Sequence, residues 1–175
     1  MTKILAFRLL VGCAVALLAS SAHAVIYTAN VTMNGANERP TPNSSTATGS
    51  ALVTFDSVTG LLSVNGSYQN LTDPVSGSHV HGPADVNNFA PVLIGLTNTG
   101  GTTGAITGSG SVSSADFFGD LLYVNVHSAP AFPGGEIRGQ IFGSTAIPEP
   151  SSMALAAIGA AVVAGWAWRR RKAAP

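Results

Sequence analysis

The middle of the chain alternates apolar and polar residues with period two, and that rhythm excludes most folds. In "VIYTANVTMNG", residues 25–35, Tyr27, Ala29, Val31 and Met33 fall on one face of an extended strand, and Thr28, Asn30, Thr32 and Asn34 on the other. Successive side chains of a strand point to opposite sides, so this pattern describes a half-buried strand. "GSALVTFD" groups Ala51, Val53 and Phe55, and "LLSVNGSYQNL" aligns Leu62, Val64 and Tyr68. Further strands are expected over 78–82, 91–96, 105–112, 121–127 and 136–142. Clusters of Gly, Pro, Asn, Asp and Ser separate them, which is the chemistry of turns. "TNTGGTTGAITGSGSV" has neither the lysine nor the following helix of a phosphate loop, and is expected to be a flexible hairpin. One short helix is predicted in "SSADFFGDL", with Ser113 as N-cap and Gly119 as stop. About eight short strands and no long helix here predict an all-β fold, an antiparallel Greek-key-like β-sandwich.

The two ends obey other rules. Residues 1–24 combine Lys3 and Arg8, the apolar run "LLVGCAVALLA" and the small-x-small site Ala22-His23-Ala24. That is the pattern of a secretory signal helix, exported by the Sec machinery and cleaved between Ala24 and Val25. Cys13 lies in "LVGC", but Arg8 leaves too little apolar chain before it for a lipoprotein signal. It is the one cysteine of the chain, so a product starting at Val25 has no disulfide and depends on its core. At the other end, "IPEPSSMALAAIGAAVVAGWAWRRRKAAP" joins a proline-rich hinge, an apolar run and a basic cluster. Residues 151–168 would extend about 27 Å as a helix, just enough for a transmembrane helix. Trp166 and Trp168 suit an interface, and Arg169, Arg170, Arg171 and Lys172 would form a cytoplasmic anchor. The expected organisation is a signal peptide over 1–24, a β domain over 25–146 and an anchoring tail over 147–175.

Charge is segregated as well. Between 25 and 146 the basic residues are Arg39 and Arg138, against Glu38, Asp56, Asp73, Asp85, Asp116, Asp120 and Glu136. An acidic body with two arginines is unsuited to a phosphate backbone, so no nucleic acid partner is expected. Glu136 and Arg138 flank Ile137 and share a face with Gln140, which predicts an exposed charge pair. Glu38, in "NERP", is a candidate partner for Arg138.

"SGSHVHGPAD" raises the one chemical question. His79 and His81 are two apart, so on a strand they project together. His127 ends "LYVNVH" on the same face as Tyr123 and Asn125. If 78–82 and 121–127 are neighbouring strands, the three imidazoles converge, and such a set suits zinc or copper. Asn125, Asp85 and Glu136 are the nearest candidates to orient the rings. The competing expectation is structural: histidines at strand ends that bond loop carbonyls. His23 leaves with the signal. Three histidines are too few for the two-metal centre of a copper–zinc dismutase, although a His-x-His on a β-strand is similar to that family's copper-site motif. There is no Gly-x-Ser-x-Gly elbow, and the carboxylates are scattered singly. The chain is therefore expected not to be an enzyme; the alternative is a metal-binding protein or small metalloenzyme built on His79, His81 and His127.

Two resemblances add to this. Pro148, Glu149 and Pro150, followed by one hydrophobic segment and terminal arginines, resemble the PEP-CTERM sorting signal. That resemblance implies an exported bacterial protein handed to an exosortase near the Pro-Glu-Pro, first membrane-anchored and then at the cell surface or outside, commonly alongside exopolysaccharide. The segments "MNGANERPTPNSSTATGSALVTFD", "GSHVHGPAD" and "LLYVNVHSAPAFPGGEIRGQI" resemble the CHRD domain, in the expected order. It implies an extracellular binding or structural module of the envelope or matrix without a known reaction.

Overall fold

The computed structural model describes residues 25–147 and 152–172. The signal peptide over 1–24, its cleavage site at Ala24, and Pro148, Glu149 and Pro150 lie outside the described residues. The strands are β1 (Ile26–Asn34), β2 (Thr48–Asp56), β3 (Leu61–Gln69), β4 (Val75–His81), β5 (Val92–Gly95), β6 (Thr97–Asn98), β7 (Gly104–Ser111), β8 (Tyr123–Ser128), β9 (Phe132–Gln140) and β10 (Thr145–Ile147). Two helices accompany them, α1 (Ser114–Phe118) and α2 (Ser152–Lys172).

The expected antiparallel all-β class holds. One continuous sheet in the order β5-β4-β8-β9-β1-β2-β3-β7-β6, with β10 beside β1, supplies both faces of the core. It curls almost into a barrel, and the short segment 92–98 explains the closure. Its first half pairs with β4, Val80 opposite Ile94, and its second half pairs with β7, Asn98 opposite Ile106. Leu96 lies at the corner, where its N–H donates to Ser78 O and its carbonyl accepts from Ser78 Oγ. Closing a sheet in this way removes exposed strand edges.

Period-two alternation built the interior as expected. Ala29, Val31, Met33, Ala51, Val53, Phe55, Leu62, Val64 and Tyr68 are all in the core. The predicted short helix forms: Ser113 Oγ accepts from Ala115 N, and Gly119 terminates the turn. It caps one end of the barrel by stacking Phe117 on Phe55, with centroids 4.2 Å apart. Truncating such a buried ring costs about 3–5 kcal/mol. The Gly/Thr-rich stretch is the expected hairpin between β6 and β7.

β8 is buried on both faces. Val124 and Val126 face the core, while Tyr123 and Asn125 on the other side are also covered. The cover comes from the loop over 82–91, the 3-10 turn Gly35–Asn37 with the loop after it, and the turn entering β9. This two-sided burial positions the polar side chains of the outer face. α2 forms over the expected tail segment, but among the described residues no helix is long and apolar enough to cross a membrane.

Candidate metal centre

β4 and β8 are antiparallel neighbours, with His79 opposite Asn125 and Gly77 opposite His127. His79 and His81 project from the outer face of β4, and His127 reaches the same point from β8. One ring nitrogen from each of the three lies within 4.8 Å of the others. The sequence expectation that these strands are neighbours is met, and so is the convergence.

Backbone carbonyls set the protonation of two rings. His81 Nδ1–H donates to Ala90 O at 2.9 Å, which leaves Nε2 as a buried lone pair without a hydrogen-bond partner. His127 Nδ1–H donates to Pro133 O at 3.0 Å, so its Nε2 also carries a lone pair. His79 Nδ1–H donates to that nitrogen at 3.2 Å. Imidazoles that ligate metal usually spend the other N–H on a carbonyl or carboxylate in this way. Nitrogens of a tetrahedral zinc site lie roughly 3.4 Å apart, given bonds of about 2.0–2.1 Å. The three nitrogens, within 4.8 Å of one another, are more widely set than that, and for His79 Nδ1 to ligate its proton must leave the bond to His127. All three rings are held below the ordinary histidine pKa, first by burial; for His79, mutual repulsion with His127 and His81 adds to it. The rings are therefore neutral near pH 7, the form that binds metal.

A stacked column supports His81. Its ring lies parallel to Tyr123, centroids 5.0 Å apart, and the Arg138 guanidinium covers the far side of Tyr123 at 3.6 Å. Tyr123 OH accepts from Ala90 N at 3.0 Å, which steadies the carbonyl that orients His81. Arg138 ties the covering loop down through Asn88 O and Asp85 O, and Gln140 adds Ala84 O.

Several expectations need correction. Glu136 and Arg138 are not an exposed pair: they are 0% and 1% exposed, because loops cover the outer face of β8 and β9. Glu136 accepts from Ser45 Oγ, Thr72 N and Oγ1, and Ser128 Oγ. Glu38 bonds Asn125 Nδ2 at 3.2 Å, and Arg138 touches it only through the longer-range field. The proposed orienters also differ. Asp85 accepts from Asn87 N and Asn88 Nδ2 in its own loop, Asn125 serves Glu38, and Glu136 lies in its own network. The groups that orient the rings are the carbonyls of Ala90 and Pro133, and backbone carbonyls leave no mark in a sequence. Proline- and glycine-rich loops after both histidine strands were the available hint.

An all-β module with its polar cluster on a loop-covered face is the class these features define. The chain belongs to the CHRD domain family, whose model matches residues 29–141. A PEP-CTERM protein-sorting motif matches residues 146–172, so the chain carries the signal of an exported protein processed by an exosortase. No curated protein and no solved structure matches the chain.

Proposed function

We propose that this exosortase-sorted extracellular protein is a non-enzymatic binding module of the cell envelope or matrix, and that its domain takes up one transition-metal ion, zinc or copper, through His79, His81 and His127. In this reading the signal peptide is removed at Val25 and the 151–168 segment holds the chain in the membrane, with Arg169–Lys172 on the cytoplasmic side. The exosortase then acts near Pro148-Glu149-Pro150 and the domain joins an exopolysaccharide-containing matrix. The observation that carries the metal assignment is the orphaned lone pair of buried His81 Nε2, aimed where His79 and His127 also converge. A purely structural histidine would not be expected to leave a buried acceptor unpaired, since that costs about 1–3 kcal/mol.

The test is elemental analysis of the purified chain after exposure to zinc or copper and removal of excess ion. One ion per chain is expected, with loss in His81→Ala and release as pH falls below about 6.5. Equal, sub-stoichiometric metal in both proteins would make the histidines structural.

A further inference from the structure

The outer face holds a second polar feature beside the histidines. β1 and β9 are neighbours, and over them opens a pocket of about 290 Å³ lined by both Arg39 and Arg138. These are the two basic residues of the whole segment 25–147, which also carries seven carboxylates. An acidic domain has thus gathered both of its cations at one cavity.

Their charge is not cancelled by direct pairing with the neighbouring acids. Arg138 donates to neutral oxygens, the carbonyls of Asn88 and Asp85 and the amide of Gln140. Arg39 Nη1 donates to the carbonyls of Ala36 and Glu38, and its side chain is half-buried. Burial pushes the Glu38 carboxyl up to about 7, so at neutral pH it offsets only part of that charge. Asp85 stays ionised, its carboxylate held by Asn87 and Asn88, and it acts on Arg138 through space without bonding it. Both arginines line the pocket, and no carboxylate is among its lining residues.

Its rim adds other chemistry. Asn30, Thr32 and Asn37 line it with exposed amide and hydroxyl groups, and Phe142 contributes a ring that is 50% exposed. The volume is at the bottom of the range of about 300–1,000 Å³ for small-molecule sites, room for a single substituted ring. We propose that this pocket binds a carboxylate-bearing sugar unit of an acidic polysaccharide. The carboxylate meets the guanidinium of Arg39 above the buried charge of Arg138. Ring hydroxyls meet the amides, and the apolar face of the pyranose lies on Phe142. The inference rests on the matrix reading for its setting and shares Arg138 with the metal centre, a residue that the test leaves unchanged.

The test is calorimetric titration of the full chain in detergent, at low salt, with an oligogalacturonate, a neutral glucose oligomer of equal length, and inorganic phosphate. Binding of the oligogalacturonate is expected, weakened by added salt and weakened about tenfold or more in Arg39→Gln. Circular dichroism should show that Arg39→Gln and Phe142→Ala keep the fold, and Phe142→Ala should also bind more weakly. Four results would overturn the proposal: no binding of the acidic oligomer, equal binding of the neutral one, phosphate binding as tightly as the oligomer, or unchanged affinity in Arg39→Gln. Metal content measured on the same preparation separates a failure here from a failure of the metal assignment.

Discussion

Two buried glutamates sit on the same side of this domain and live in opposite conditions. Glu136 is 0% exposed and saturated: two serine hydroxyls, one threonine hydroxyl and one backbone N–H donate to it. Burial alone would raise its pKa, but those bonds outweigh burial and hold it below the usual value of 4.5. Glu38 is 3% exposed and starved, with one bond from Asn125 Nδ2 and a buried Oε1 that has no partner. Burial therefore wins, and its pKa rises to about 7. Burial of a carboxylate says nothing about its role until its donors are counted. The saturated site is a knot that joins three loops and strands; the starved one, like His81 Nε2, keeps a buried polar atom that no described residue satisfies.

The strongest way to break this comparison is at the knot. Glu136→Ala would leave the donors of Ser45, Thr72 and fully buried Ser128 without their acceptor. A loss of about 4 kcal/mol is expected in chemical unfolding, and a loss under about 1 kcal/mol would show that the network is decorative. The contribution of Glu136 is present above pH 4.5 and fades as pH falls through its depressed native value.

Glu38 should respond with the reverse sign. The proton it retains in the folded chain favours folding; that contribution is complete below pH 4.5 and is lost as pH rises through about 7. Glu38→Gln keeps an acceptor for Asn125 and cannot ionise. It is expected to be more stable than the parent above pH 8, by on the order of 3 kcal/mol, and no more stable at pH 4.5. A destabilised Glu38→Gln at pH 8 would mean that the ionised carboxylate is needed by Arg138. Without metal, the three histidines oppose Glu38: their depressed pKa values give stability that is present above 6.5 and lost as pH falls. The apo domain should therefore show a shallow stability profile between these ranges.

The sequence made the core legible because alternation is local. Ala51, Val53 and Phe55 declare their face within five residues, and His79 and His81 share a side for the same reason. The outer face was misread because period two assigns Glu136, Arg138 and Gln140 to one side without saying what covers it. Their cover comes from the loop at 84–88 and from Ser45 and Thr72, contacts that only the closed sheet brings together. His127 is intermediate between these cases. Its face was legible, but its meeting with His79 depends on β4 pairing with β8 across more than forty residues. The Ala90 and Pro133 carbonyls were invisible, since every residue carries one.

The finest prediction separates stability from site geometry on the starved face. Tyr123 OH accepts from Ala90 N at 3.0 Å and lies 3.3 Å from Ala90 O, the same oxygen that receives His81 Nδ1–H. Tyr123→Phe keeps the ring that stacks between His81 and Arg138 and removes only the hydroxyl. Stability should fall by about 1 kcal/mol, the net worth of an ordinary hydrogen bond. Metal affinity should fall further, by about tenfold or more, because partners that orient a ligating histidine tune the site to that extent. The two effects are read from unfolding of the metal-free chain and from competition with a chelator. Loss of stability with unchanged metal affinity would mean that Ala90 holds His81 without help from Tyr123. Matched losses in both would make Tyr123 a packing residue, and the outer face of β8 would then differ from the knot at Glu136 in degree alone.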